Sequence, residues 1–289
     1  MIAPPGALGQ NGPPKPPRSL LKKVGSPDFS PMTTAQILAV FAATVADPRF
    51  PAAVGIAAVA GLVRGFTGFG SALIYMPLVS AVYSPQVAAA TLLLIDGISS
   101  LPISIRAIPR CNWHEVAPVT IAGAASLPFG AAFLVYVDPL LLRWCIAGLV
   151  LVALATLAAG WRYHGKPNLA ASLGVGILAG LGAGAAQIGA PPLLVYWLGG
   201  QNSATTVRAN IMVYFIMQGA ISMIAYLYSG LITAQAVVLS VLLGVPFAVL
   251  LTVGARWFHG SSDALYRRIA YLVIAIAGLA SLPLFDALR

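Results

Sequence analysis

Residues 61–77 read Gly61-Leu62-Val63-Arg64-Gly65-Phe66-Thr67-Gly68-Phe69-Gly70-Ser71-Ala72-Leu73-Ile74-Tyr75-Met76-Pro77. They sit inside an apolar run, 51–83, of more than 30 residues. As one straight helix that run would reach nearly 50 Å, whereas about 20 residues suffice for a bilayer span. Glycine also studs its middle, at 65, 68 and 70. A helix broken at these glycines explains the length and the composition together. A second run, 168–199, has the same excess length and carries Gly180-Leu181-Gly182-Ala183-Gly184-Ala185-Ala186-Gln187-Ile188-Gly189-Ala190-Pro191-Pro192.

Around these two segments the 289 residues are 59% hydrophobic and only 8% charged, with a mean hydropathy of +0.90. An ordinary soluble domain is about a quarter charged, and a disordered chain combines low hydrophobicity with high charge. Outer-membrane barrels use weak alternation in place of long apolar runs. Eight apolar stretches run roughly over 51–83, 85–104, 115–136, 139–160, 168–199, 204–228, 232–253 and 264–286. The expected fold is an all-α integral membrane protein of about eight transmembrane helices, built as two four-helix repeats whose helices 1 and 5 are broken at glycine. Residues 1–33, rich in proline and carrying Lys15, Arg18, Lys22 and Lys23, read as a disordered basic tail.

The repeat rests on a register of 119. Ala60 to Gly65 matches Ala179 to Gly184, Gly70 falls on Gly189, and Ala90 on Ala209, without a gap. This divides the chain into a first repeat, 34–160, and a second, 161–289. An even number of spans in each half implies parallel repeats about an axis along the membrane normal. If the broken helices re-enter, the halves are inverted instead. Secondary transporters use both arrangements.

An unwound segment in hydrocarbon exposes backbone donors, and a fresh helix start near Gly70 aims N–H groups and a positive dipole end into the bundle. Pro191 and Pro192 suit the first turn of another such helix. Tight packing through Gly61/Gly65 and Gly180/Gly184 is the plainer account of one segment; two in equivalent positions point to a paired anion site. Backbone donors are expected from Ser71 and Ala190, and side-chain donors from Thr67 and Gln187. Gly68, Gly70 and Gly189 would let the backbone approach. Arg64 and Asp96 are charges deep in apolar runs, where they face a partner or a cavity. They form either a structural pair or a counter-charge with a proton-responsive neighbour. Asn210, equivalent to Thr91, would bond substrate or another helix, and Arg208 reads as an interfacial charge or a gate.

These segments resemble the TauE/SafE family, the sulfite exporter permeases. Gly65-Phe66-Thr67-Gly68-Phe69-Gly70-Ser71-Ala72-Leu73 through Pro77 is similar to the first family hallmark, and Gly180 to Gly184 with Gly189-Ala190-Pro191-Pro192 to the second. Ala190 stands where the family typically has a second glycine, and Gln187 also departs from the pattern. The resemblance covers nearly all of 51–286. It implies two four-span halves and transport of small sulfur-containing anions such as sulfite or organosulfonates.

The formal charge is +9, from 16 basic and 7 acidic residues. The basic residues are spread over loops and a tail, so retention on the cytoplasmic side explains them without a nucleic-acid partner. The tail and the Arg106/Arg110 and Arg162/Lys166 loops are expected inside, giving a cytoplasmic N-terminus, and loop 79–84 outside. The loop 254–268, with Arg256, Arg267 and Arg268, is the exception to that scheme. Cys111 and Cys145 lack metal-site spacing, and His114, His164 and His259 fall in loops. No metalloprotease, phosphate-loop or nucleophile-elbow motif occurs. The expected protein is therefore a multi-pass permease of the inner membrane, without enzyme activity, metal or cofactor. Its partners are a small anion and the lipid bilayer, with a homo-oligomer left open. A carboxylate permease and a non-transporting assembly protein are the competing readings.

Overall fold

The computed structural model describes residues 34–67, 69–161, 163, 168–199, 203–257, 272, 274–280 and 282. These residues belong to one compact unit, 32–289. The basic tail, Gly68, Arg162, Lys166 and most of the last apolar stretch lie outside the described residues.

Among the described residues every long element is an α-helix. They are α1 (Thr34–Val45), α2 (Phe50–Thr67), α3 (Ser71–Val82), α4 (Pro85–Ala107), α5 (Trp113–Tyr136), α6 (Pro139–Ala158), α7 (Leu169–Ala186), α8 (Ala190–Gly199), α9 (Ala204–Tyr228) and α10 (Ala234–Trp257). The starts are set by local chemistry. Ser84, Asp138, Asn168 and Ser203 accept backbone N–H bonds at their helix N-caps, and Pro85 and Pro139 occupy first-turn positions that need no donor. Five of the described helices are long and apolar enough to cross a bilayer, and seven when two bent pairs count as one span each. The first pair, α1 with α2, turns through 83°. Large apolar side chains such as Ile121, Phe129, Val152 and Val241 face outward, as hydrocarbon surroundings require.

Both over-long runs are broken. In the first, α2 ends at Thr67 and α3 begins at Ser71; Gly70, with φ 94°, lies in the left-handed region between them. In the second, Gln187 has φ 53°, and its N–H and that of Ile188 close the end of α7 onto the Ala183 and Gly182 carbonyls. The chain then turns back. Ser172 Oγ and Tyr196 Oη are 2.8 Å apart, although a straight helix would separate them by about 36 Å. The Tyr163 N–H also donates to the Val195 carbonyl at 3.0 Å. In the first half the Arg49 guanidinium lies 4.7 Å from the centre of the Tyr83 ring, where a straight helix would give about 51 Å. Each broken helix is therefore a hairpin returning to the end it came from.

This fixes the direction of every following helix. Call end A the end holding Arg49, Tyr83, Asp138 and the 229–233 turn, and end B the end holding the 108–112 turn, Trp161 and Ser203. Helix α4 runs from A to B. Helix α9 runs from B to A, since the Asn112 N–H donates to Asn210 Oδ1 at 2.8 Å. The first hairpin thus opens toward end A and the second toward end B, in opposite directions.

The closest packing crosses between the halves. A Cβ on Gly61 or Gly65 would run into the backbone oxygens of Phe247 and Leu251, so α2 lies directly on α10. A Cβ on Gly180 or Gly184 would meet those of Gly123 and Leu127, so α7 lies directly on α5. The glycines are 119 positions apart, and Leu127 and Leu251 are 124 apart, which places a five-residue offset beyond the second helix of each half.

Candidate functional site

The two breaks open onto one cavity of about 80 Å³. Gly70 and Ser71 line it from the first break, and Gln187, Ala190 and Pro191 from the second. Arg64, Asp96 and Ser100 close the side toward end B, and Gln218 adds a buried amide. Helix α3, of 12 residues, rises about 18 Å from end A, and α8, of 10, about 15 Å from end B. Both therefore begin about half a bilayer in, with their N-termini toward the cavity. They are not equal as donors. The first turn of α3 has no side-chain cap, whereas Pro191 and Pro192 remove two of the four opening N–H groups of α8.

Arg64 is buried, with 7% of its side chain exposed against 25% for Asp96. Its Nε donates to Asp96 Oδ1 at 2.8 Å and its Nη2 to Ser100 Oγ at 3.1 Å. Ser100 in turn donates to Asp96 Oδ1 at 3.1 Å. The guanidinium carbon sits 5.6 Å from the Phe215 ring centre, a cation–π contact from α9. The pair is thus structural and cavity-lining at once. It clamps α2 to α4 while presenting a cation, partly offset by the carboxylate, to whatever occupies the space.

Gln187 is, among the described residues, the one non-glycine residue with positive φ. It occupies the position equivalent to Gly68 at a shift of 119. Its Nε2 donates to the Tyr226 hydroxyl at 3.1 Å, and that hydroxyl donates to the Gly184 carbonyl at 2.8 Å. Strained backbone held by neighbouring bonds is a common mark of a functional position.

The structure brings Arg64, Gly70, Ser71, Asp96, Gln187 and Ala190 to one space. Gly189 adjoins it without lining it, its Cβ position facing the Ala179 carbonyl at 2.9 Å. The Thr67 side chain and Gly68 lie outside the described residues. Asn210 is elsewhere: it is fully buried, does not line the cavity, and accepts the Asn112 N–H near end B. It ties helices together, as does Thr91, which accepts from the Tyr75 hydroxyl at 2.9 Å. Sequence reasoning missed Ser100, Gln218 and Tyr226. Ser100 was within reach, because it lies four residues after Asp96 on the same helix face. Gln218, an amide in an apolar span, carried a weaker signal, and Tyr226 carried none.

Compared with known proteins, residues 53–281 match the family described as Sulfite exporter TauE/SafE. No curated protein and no solved structure matches the chain.

Proposed function

Because the chain belongs to the TauE/SafE sulfite exporter family, a family of membrane transporters, we propose that it is a secondary permease moving a small sulfur oxyanion, sulfite or an organosulfonate, across the cytoplasmic membrane. The observation carrying this reading is the cavity that both helix breaks share with Arg64. An anion at mid-membrane loses most of its hydration, at a cost of many kcal/mol in a low-dielectric medium. Two helix N-termini offer roughly half a charge each, and Arg64 adds a whole one that Asp96 largely cancels. The sum suits one monoanion. Backbone N–H groups of Ser71 and Ala190 and the Gln187 amide are the proposed donors, with Thr67 and Gly68 completing the first break.

The two halves act as inverted repeats in this reading, with boundaries near 34–160 and 161–289. Each hairpin enters from its own end, so rocking one half against the other exposes the shared cavity alternately to A and B. Orientation follows from the loops. End B holds Arg106, Arg110, Arg208 and Arg256, whereas end A holds Arg49 and Arg143, close in sequence to Asp47 and Asp138. The positive-inside rule makes end B cytoplasmic. That removes the exception at the 254–268 loop. It also puts the start of α1 at end A, against the cytoplasmic N-terminus expected from the tail.

Flux into proteoliposomes holding the purified protein tests the function. Sulfite and methanesulfonate should enter faster than acetate, and Arg64→Ala should abolish entry. Acetate moving as fast as sulfite overturns the sulfur-anion assignment, and no flux of any of the three overturns transport.

A further inference from the structure

Arg64 stands in a wall between two cavities. Beyond it, toward end B, lies a smaller space of about 40 Å³ whose polar lining is Arg64, Ser100, Ser104 and Arg208. Arg64, Ser100 and Ser104 line both spaces; Asp96 lines only the larger. The formal charge of the walls therefore differs. The larger cavity has one guanidinium and one carboxylate. Among the described residues the smaller is lined by two guanidiniums and two hydroxyls without a carboxylate, and the rest of that lining is Gly65, Met212, Leu251 and Ala255.

We propose that the smaller cavity is a second anion subsite, which takes a small oxyanion between Arg208 and Arg64 and hands it past Arg64 to the cavity between the breaks. The inference rests on the transport reading above. Guanidinium and hydroxyl donors facing one small space are the chemistry that binds an oxyanion. The space exceeds the roughly 10–15 Å³ that one water needs. Arg208 is exposed and Arg64 buried, so the space runs inward from the surface at end B, and Arg208 gives it a positive charge beyond the Arg64–Asp96 pair that the larger cavity lacks. Arg208 lies near the start of α9, at the end that holds Arg106, Arg110 and Arg256, so it is the first of the two to meet an anion arriving from there. Along this wall α2 lies directly on α10, the Leu251 backbone oxygen taking the place of a Cβ on Gly65. Within one state, passage past the wall is a movement of the Arg64 side chain, which lines both spaces.

The test is sulfite influx in oriented proteoliposomes, measured from the end B side and from the end A side at rising sulfite. Arg208→Gln should raise the half-saturating concentration about tenfold from end B and less than twofold from end A, with Arg208→Lys between it and the wild type. Ser104→Ala, which keeps both charges, should raise it about threefold from end B. If Arg208→Gln and Ser104→Ala both saturate like the wild type from end B while Arg64→Ala has lost flux, the subsite is wrong and the central site stands. If the wild type carries neither sulfite nor methanesulfonate, the transport reading fails and the subsite falls with it.

Discussion

Gln187 holds a conformation that glycine would hold more cheaply. A non-glycine residue in the left-handed region costs about 1–3 kcal/mol, so Gln187→Gly should keep or raise the melting temperature in detergent. The same change deletes the amide from the cavity, and sulfite flux should fall at least tenfold; unaltered flux would assign Gln187 to the cap alone. For Arg64, the Nε bond to Asp96 and the Nη2 bond to Ser100 form a fork that a lysine ammonium cannot reproduce, so Arg64→Lys should weaken binding despite its charge. Asp96→Asn removes the offsetting carboxylate. It should bind methanesulfonate more tightly, because the Arg64 charge is then no longer offset. Titration calorimetry reads the change in affinity. Arg64 and Asp96 were legible in the sequence because opposite charges at similar depth in apolar runs seek each other. Asn210 was open between substrate and another helix, and Tyr226 was silent, because the use of a polar side chain inside a bundle depends on which helix faces it.

At the scale of helices, glycine divides into two kinds. At Gly65 and Gly184 the space for a Cβ is taken by the backbone of α10 and α5. Gly65→Ala and Gly184→Ala should each cost about 1–3 kcal/mol of overpacking and lower the melting temperature. At Gly174 nothing lies within 4 Å of a Cβ, so Gly174→Ala should be neutral or stabilise by up to about 1 kcal/mol through helix propensity. Equal losses at all three would mean that the helix contacts are not as described. The breaks themselves were readable from excess length and glycine. Their return direction was not, since glycine marks where a backbone can leave a helix without fixing the angle. The angle comes from the local closure of Ile188 onto Gly182 and from contacts between distant residues, Tyr163 onto Val195 and Arg49 over Tyr83. For the same reason parallel and inverted halves could not be separated by counting spans.

For the whole molecule, end B inside predicts that Asp138→Cys and Thr233→Cys react with an impermeant maleimide in intact cells, in a background with Cys111 and Cys145 replaced by alanine. Asn112→Cys should react only after the cells are opened; the opposite pattern would reverse the orientation. The crossed pairing of α2 with α10 and of α5 with α7 has a consequence for biosynthesis. The surface that covers Gly61 and Gly65 is made some 180 residues after them. At translation speeds of about 5–20 residues per second that is a delay of roughly 10–40 s. Throughout it α2 must stay in lipid with a grooved, uncovered face and an arginine aboard. Asp96 emerges only 32 residues after Arg64, early enough to neutralise that charge while the groove waits. The ion pair would then act as a temporary passport into the bilayer, before there is any substrate to carry.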